Sequence, residues 1–240
     1  MTTELVPYEK FVISAEKTAK IRKAMQDNLE GSAVGTWDFD RIKVPCGGST
    51  TWEIERQGET ESLREFDVIV LHAKLKRAYW SHGLDQGGTA GPPDCSSEDT
   101  EHGMGVPGGD CATCPMAEWN SDPKGGRGQA CKTRNILIVR LPGSLIPQVL
   151  SLPPTSLKPW RRYAFRLGGQ GLSYYEVVTR FVAEKHGQGP TGYAIAVPSM
   201  IAELPKDMAA EVEAFREQFI EAFRAVRIEA DDVAENGSDI

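Results

Sequence analysis

Four cysteines stand at spacings that suit a metal ion. Cys95, Cys111, Cys114 and Cys131 follow the pattern C-x15-C-x2-C-x16-C. The CxxC pair closes a tight turn whose two thiolates grip one side of a tetrahedral ion, and flanking loops supply the other two. Four sulfurs at about 2.3 Å make a structural Zn2+ site, closed to water and substrate. The surrounding residues are rich in Gly, Pro, Ser and Asp, so apolar burial is a poor reason for these thiols to gather. His82 and His102 flank the group, and either has the chemistry to replace one cysteine. Cys46 lies apart, beside Gly47-Gly48, and reads as an ordinary thiol.

A catalytic zinc would need an open coordination position and a nearby acid or base. The H-x-E and P-C-x-x-C pattern of zinc deaminases is missing: Gly103 and Met104 follow His102, and Asp110 precedes Cys111. HExxH, P-loop and GxGxxG patterns are missing as well. A metal-dependent hydrolase therefore has no open-site motif behind it.

A second constellation is aromatic and basic. Lys74, Lys76, Arg77, Tyr79 and Trp80 crowd one stretch, Lys158, Trp160, Arg161 and Arg162 another, and Tyr175 and Arg180 a third. Rings between cations suit a single nucleic-acid strand, since bases stack on rings and cations follow the phosphates. The competing reading is that the rings are half-buried core and the charges merely solvated. A third feature is the C-terminus. Residues 228–240 carry Glu229, Asp231, Asp232, Glu235 and Asp239 with no Lys or Arg, and removing them moves the net charge from -7 to -2. The body is thus near neutral, and local basic clusters can still present a positive face.

These residues need elements to hold them. Ser14–Leu29 has a helical apolar period ended by Gly31. Thr50–Arg56, Leu63–Trp80, Asn135–Leu141, Tyr174–Glu184 and Tyr193–Met200 read as strands, with β-branched and aromatic enrichment. Residues 142–162 read as a Pro-rich turn with short helices. Asp207–Arg227 is an amphipathic helix, with Met208, Val212, Phe215, Phe219 and Phe223 on one stripe. The expected architecture is mainly β with peripheral helices: five to seven strands in an OB-like, partly open β-barrel. Its parts would be an N-terminal helical segment (1–35), a barrel (36–205) with a four-cysteine zinc-binding loop insertion at about 81–134, a C-terminal helix (206–227) and an acidic disordered tail (228–240). No signal-like leader or membrane-length apolar run is evident, so a cytoplasmic, non-membrane chain is expected.

The segments Pro93-Asp94-Cys95-Ser96-Ser97, Cys111-Ala112-Thr113-Cys114-Pro115, Trp119, Gly128-Gln129-Ala130-Cys131-Lys132, Leu152-Pro153-Pro154-Thr155-Ser156-Leu157 and Val177-Val178-Thr179 resemble phage and prophage single-stranded DNA-binding proteins of the OB-fold class. The resemblance spans about residues 35–200. It implies a non-enzymatic protein that coats single-stranded DNA in replication and recombination, with zinc on Cys95, Cys111, Cys114 and Cys131. The chain departs from it in its weak basic excess. The alternative is a zinc-containing protein–protein adaptor that recruits replication or nuclease partners through the acidic tail.

Overall fold

The computed structural model describes residues 10–46, 48–56, 58–81, 91–123, 128–187 and 192–234. Its spine is one strand, β4 (Glu65–Tyr79), which is long enough to serve several neighbours. It pairs antiparallel with β8 (Lys132–Arg140) over Ile69–Ala78, with β10 (Val177–His186) over Glu65–Val68, and with β5 (Cys95–Ser97) over Arg77–Tyr79. Outward from β8 come β9 (Gln148–Leu152) and then β1 (Arg41–Lys43), which runs parallel to β9. β11 (Tyr193–Glu203) pairs with β10. β2 (Trp52–Arg56) and β3 (Glu59–Leu63) form a separate hairpin. β6 (His102–Gly105) and β7 (Gly109–Asp110) extend the sheet beyond β5.

The chain is mainly β with peripheral helices, as expected. The described residues hold eleven strands rather than five to seven, and the sheet is open, with no pairing among them that joins its ends. The reason lies in alternation. Successive strand residues point to opposite faces, and here both faces are apolar. Phe66, Val68, Val70, Leu137 and Val139 join one core, with Trp160, Tyr163 and Leu167 of α2 (Pro154–Gly169). Ile69, Leu71, Ile136 and Ile138 join a second core, with Val212, Phe215 and Phe223 of α3 (Lys206–Ala225). A sheet buried on both sides is covered by helices, and its strands then read as continuous apolar runs. α1 (Ala15–Asn28), N-capped by Ser14, contacts α3. No helix of the described residues is long and apolar enough to cross a membrane.

Two sequence expectations are corrected by packing. Residues 142–162 contain β9 and most of the continuous helix α2. Pro153 and Pro154 sit at that helix's start, where backbone N–H groups have no intrahelical partner to lose. The start of the acidic tail is not a solvated terminus. Ile228, Ala230, Asp232 and Val233 are buried, and α4 (Asp231–Ala234) closes the segment. Arg41 of β1 pairs with Asp232 and, at 3.2 Å, with Glu229. Residues 235–240, with Glu235 and Asp239, lie outside the described residues.

Candidate metal centre and nucleic-acid interface

All four cysteines of the C-x15-C-x2-C-x16-C pattern line one small cavity of about 10 Å³, room for about one small ion or water. Strands β4, β5, β7 and β8 and the turns beside them build it. Cys95 opens β5 and stands opposite Tyr79 of β4, whose side chain also lines the cavity. Cys131 immediately precedes β8, and its N–H donates to the Met116 carbonyl at 2.7 Å. Cys111 follows β7, and Cys114 leads into a short 3-10 turn, Pro115–Ala117. Glycine is needed where the loop folds over Cys95. A Cβ on Gly103 would stand 3.0 Å from the Cys95 sulfur, and Gly105, at φ +111°, leaves no room for one beside the Asp94 carbonyl.

None of the cysteines is in a disulfide. The Cys131 thiol is pushed up to about 12 by burial; Arg77 opposes that shift, while Cys111, Cys114 and Cys95 add to it. A dication bound among these thiols would bind them as thiolates. The donor set fits zinc in number and softness. Its spacing is looser than ligation. Among the described residues, the group of three or more ligand atoms mutually within 4.8 Å is Asp99, Glu101 and His102, not the sulfurs. The sulfurs would therefore draw together around an ion. Asp99, Glu101 and His102 form an exposed turn instead. Asp99 accepts from the His102 and Glu101 backbone N–H groups, both at 2.8 Å, and these bonds hold its carboxyl well below the usual range. His102 turns its Nδ1 to Asp99 at 3.1 Å and does not line the thiol cavity. His82 lies outside the described residues, and Cys46 is exposed and does not line the cavity.

The aromatic and basic residues separate into three fates. Lys76 is buried; its ammonium caps the C-terminal end of α3, donating to the Arg224 carbonyl at 2.7 Å and the Val226 carbonyl at 2.6 Å, and pairs with Glu98. Trp160 is buried against Tyr163, Tyr174 and Phe181 and is no stacking platform. Both are corrections to the expected surface set. Arg180 and Tyr175 are engaged internally. Arg180 forks onto Asp67 at 2.7 and 2.9 Å and reaches Glu65 at 2.8 Å. The Tyr175 hydroxyl donates to Glu213 at 3.0 Å, beneath the Arg216 guanidinium. Arg77 and Tyr79 face the cysteine cavity, and Trp80 packs at the edge of the second core, with its indole N–H on the Gly91 carbonyl at 3.0 Å. Lys74 is exposed.

The third group stays on the surface, and a helix organises it rather than a strand. Lys158, Arg161 and Arg162 are exposed on α2. The same face carries Phe165, 82% exposed, and Arg166, exposed as well. Positions 158, 161, 162, 165 and 166 repeat at helical spacing, and 160, 163 and 167 fill the core behind them. None of these four cations has an ion pair among the described residues. Phe165 and Arg166 were legible in the sequence as neighbours of Arg161 and Arg162; only the helical period reveals that they share one face. No family model, curated protein or solved structure matches this chain.

Proposed function

We propose that the chain is a non-enzymatic single-stranded DNA-binding protein of replication or recombination, with a structural zinc on Cys95, Cys111, Cys114 and Cys131. The observation that carries the reading is the outer face of α2: four cations, Lys158, Arg161, Arg162 and Arg166, around an exposed phenyl ring and without partners of their own among the described residues. Cations placed this way track phosphates, and a ring among them stacks on a base whatever its identity. Zinc on the cysteines would staple the β5–β7 loops to β4 and β8; its chemistry is that of a brace, and no reacting step is assigned to it. The reading stands without an OB barrel, because its binding surface is a helix packed on an open sheet.

The test is fluorescence anisotropy with a labelled oligonucleotide at two salt concentrations. Log affinity should fall with log salt by about 0.7 for each phosphate contacted. Arg161→Glu with Arg162→Glu should remove most of the affinity and flatten that slope. Absence of any binding by the wild-type protein at low salt refutes the proposal.

The adaptor reading has its own support in three exposed apolar side chains on the cysteine module: Met104, Val106 and Trp119. An adaptor would leave oligonucleotides unbound and would lose its partner when those three are replaced by polar residues.

A further inference from the structure

We infer that Arg77 is the charge-balancing residue of the cysteine centre, positioning its guanidinium Nε–H toward the thiolates and setting how tightly they hold a metal. The inference rests on the zinc reading of the preceding section and extends it to a residue that does not ligate.

Strand register places Arg77 between two of the ligand candidates. On β4, Arg77 stands opposite Ser97 of β5 on one side and Thr133 of β8 on the other. Directly opposed residues share a face, and so do residues two apart along a strand. Cys95 is two residues before Ser97, and Cys131 two before Thr133. The Arg77 side chain therefore projects on the face from which both thiols arise, and it lines the cavity with all four cysteines.

Two further observations concern what the guanidinium lacks. Its Nε is screened from solvent and has no hydrogen-bond partner. No carboxylate pairs with it among the described residues, although its neighbour Lys76 has Glu98 and Lys132 has Asp122 at 2.6 Å. A half-buried cation with an idle donor is costly unless an anion sits near it. A zinc ion with four thiolates is that anion: the dication offsets two of four negative charges and leaves a formal charge of -2. Arginine presents its donors in a fixed fork and stays charged throughout. Outer partners of this kind orient metal ligands and tune their basicity.

The experiment compares wild type, Arg77→Gln, Arg77→Lys and, as a control on the exposed surface of α1, Arg22→Gln. Zinc content is measured on the proteins as isolated. Zinc affinity follows from competition with a chromophoric chelator, and thiolate electronics from the sulfur-to-metal charge-transfer band after cobalt(II) substitution. Wild type should carry one zinc per chain. Arg77→Gln should hold it about 10-fold more weakly or worse, with a displaced charge-transfer band. Arg77→Lys, which keeps the charge and loses the fork, should fall between, and Arg22→Gln should match wild type. If Arg77→Gln does not fold, the lysine variant carries the test: an affinity and band equal to wild type would overturn the inference. Wild-type zinc together with Arg77→Gln affinity within twofold and an unmoved band would overturn the role of Arg77 and leave the zinc reading intact. Wild type without zinc would end both.

Discussion

Lys74 and Lys76 are two residues apart on one face of one strand, yet one is exposed and the other is a buried helix cap. Nothing local distinguishes them. What does is the end of α3, which arrives about 150 residues later and lays the Arg224 and Val226 carbonyls over Lys76. Helix C-terminal carbonyls are orphan acceptors, and a cation among them completes the cap. Lys76→Met should therefore cost about 2–3 kcal/mol of stability, because acceptors are left unpaired in a buried place. Urea unfolding measures the loss, and the folded variant should bind oligonucleotide as wild type does. A phosphate-contacting lysine would show the reverse: normal stability and weaker, less salt-dependent binding. The cysteine pattern was legible at this scale because its information is local and chemical. The placement of Lys76 and Arg77 was not, because it depends on partners distant in sequence.

Among elements, α2 shows how a pattern is missed. Pro153, Pro154 and Pro159 make the stretch look like a breaker, but the first two lie where a helix tolerates proline best. Once the segment is helical, its residues sort by period. Trp160, Tyr163 and Leu167 go inward, while Ser156 accepts the Ala196 N–H at 2.9 Å and docks the helix on β11. Two aromatics five residues apart then have opposite roles. Trp160→Ala should destabilise the protein by about 3–5 kcal/mol through lost contact and a residual cavity. Phe165→Ala should change stability by no more than about 0.5 kcal/mol and weaken oligonucleotide binding by about 1–3 kcal/mol, the range for one stacked base. Denaturation and anisotropy on the same two variants separate the roles; equal binding by Phe165→Ala and wild type would remove the ring from the interface. The strand elements were easier to read. Leu63–Trp80 and Asn135–Leu141 coincide closely with β4 and β8, because β-branched enrichment needs no distant partner to be recognised.

Across the whole molecule, the two-faced sheet explains why the described strands form an open sheet with helices on both sides. Val68 to Leu71 and Ile136 to Val139 are apolar at every position, and each run feeds both cores. That continuity is the mark of helices on both sides, and one helix was hidden by its prolines. The same layering buries His72 between β4 and α3. Burial first, then Arg216, Lys76, Arg224 and Lys74, lower its pKa from 6.5 to about 4. The folded chain thus keeps a neutral imidazole while the unfolded chain takes up a proton below about pH 6.5. Between those values the unfolded state binds more protons, so stability falls as pH drops and recovers as it rises. From pH 7 to pH 5 the loss should be about 2 kcal/mol, read as a shift in the urea midpoint, and His72→Gln should flatten it.

The C-terminal segment ties these layers together, and it gives the sharpest whole-molecule test. Read by charge, residues 228–240 form an acidic tail; read by burial, they divide. Ile228, Ala230 and Val233 are interleaved with the acids and belong to the core. Asp232, 2% exposed, is reached by Arg41 from β1, the edge strand of the sheet, and its carboxylate also accepts the Glu229 N–H at 2.9 Å. Arg41 donates in turn to the Arg227 carbonyl at 3.0 Å. The segment therefore latches the end of α3 to the far edge of the sheet. Removing 228–240 strips two branched core side chains, each about 1.5–3 kcal/mol when fully buried, and leaves Arg41 without its carboxylates, so a large drop in Tm or insoluble protein is expected. Removing only 235–240 spares every one of these contacts and should leave Tm unchanged. Thermal melts of the two truncations decide it: a 228–240 deletion that melts with the full-length protein would mean the segment is a tail after all, and a disposable one.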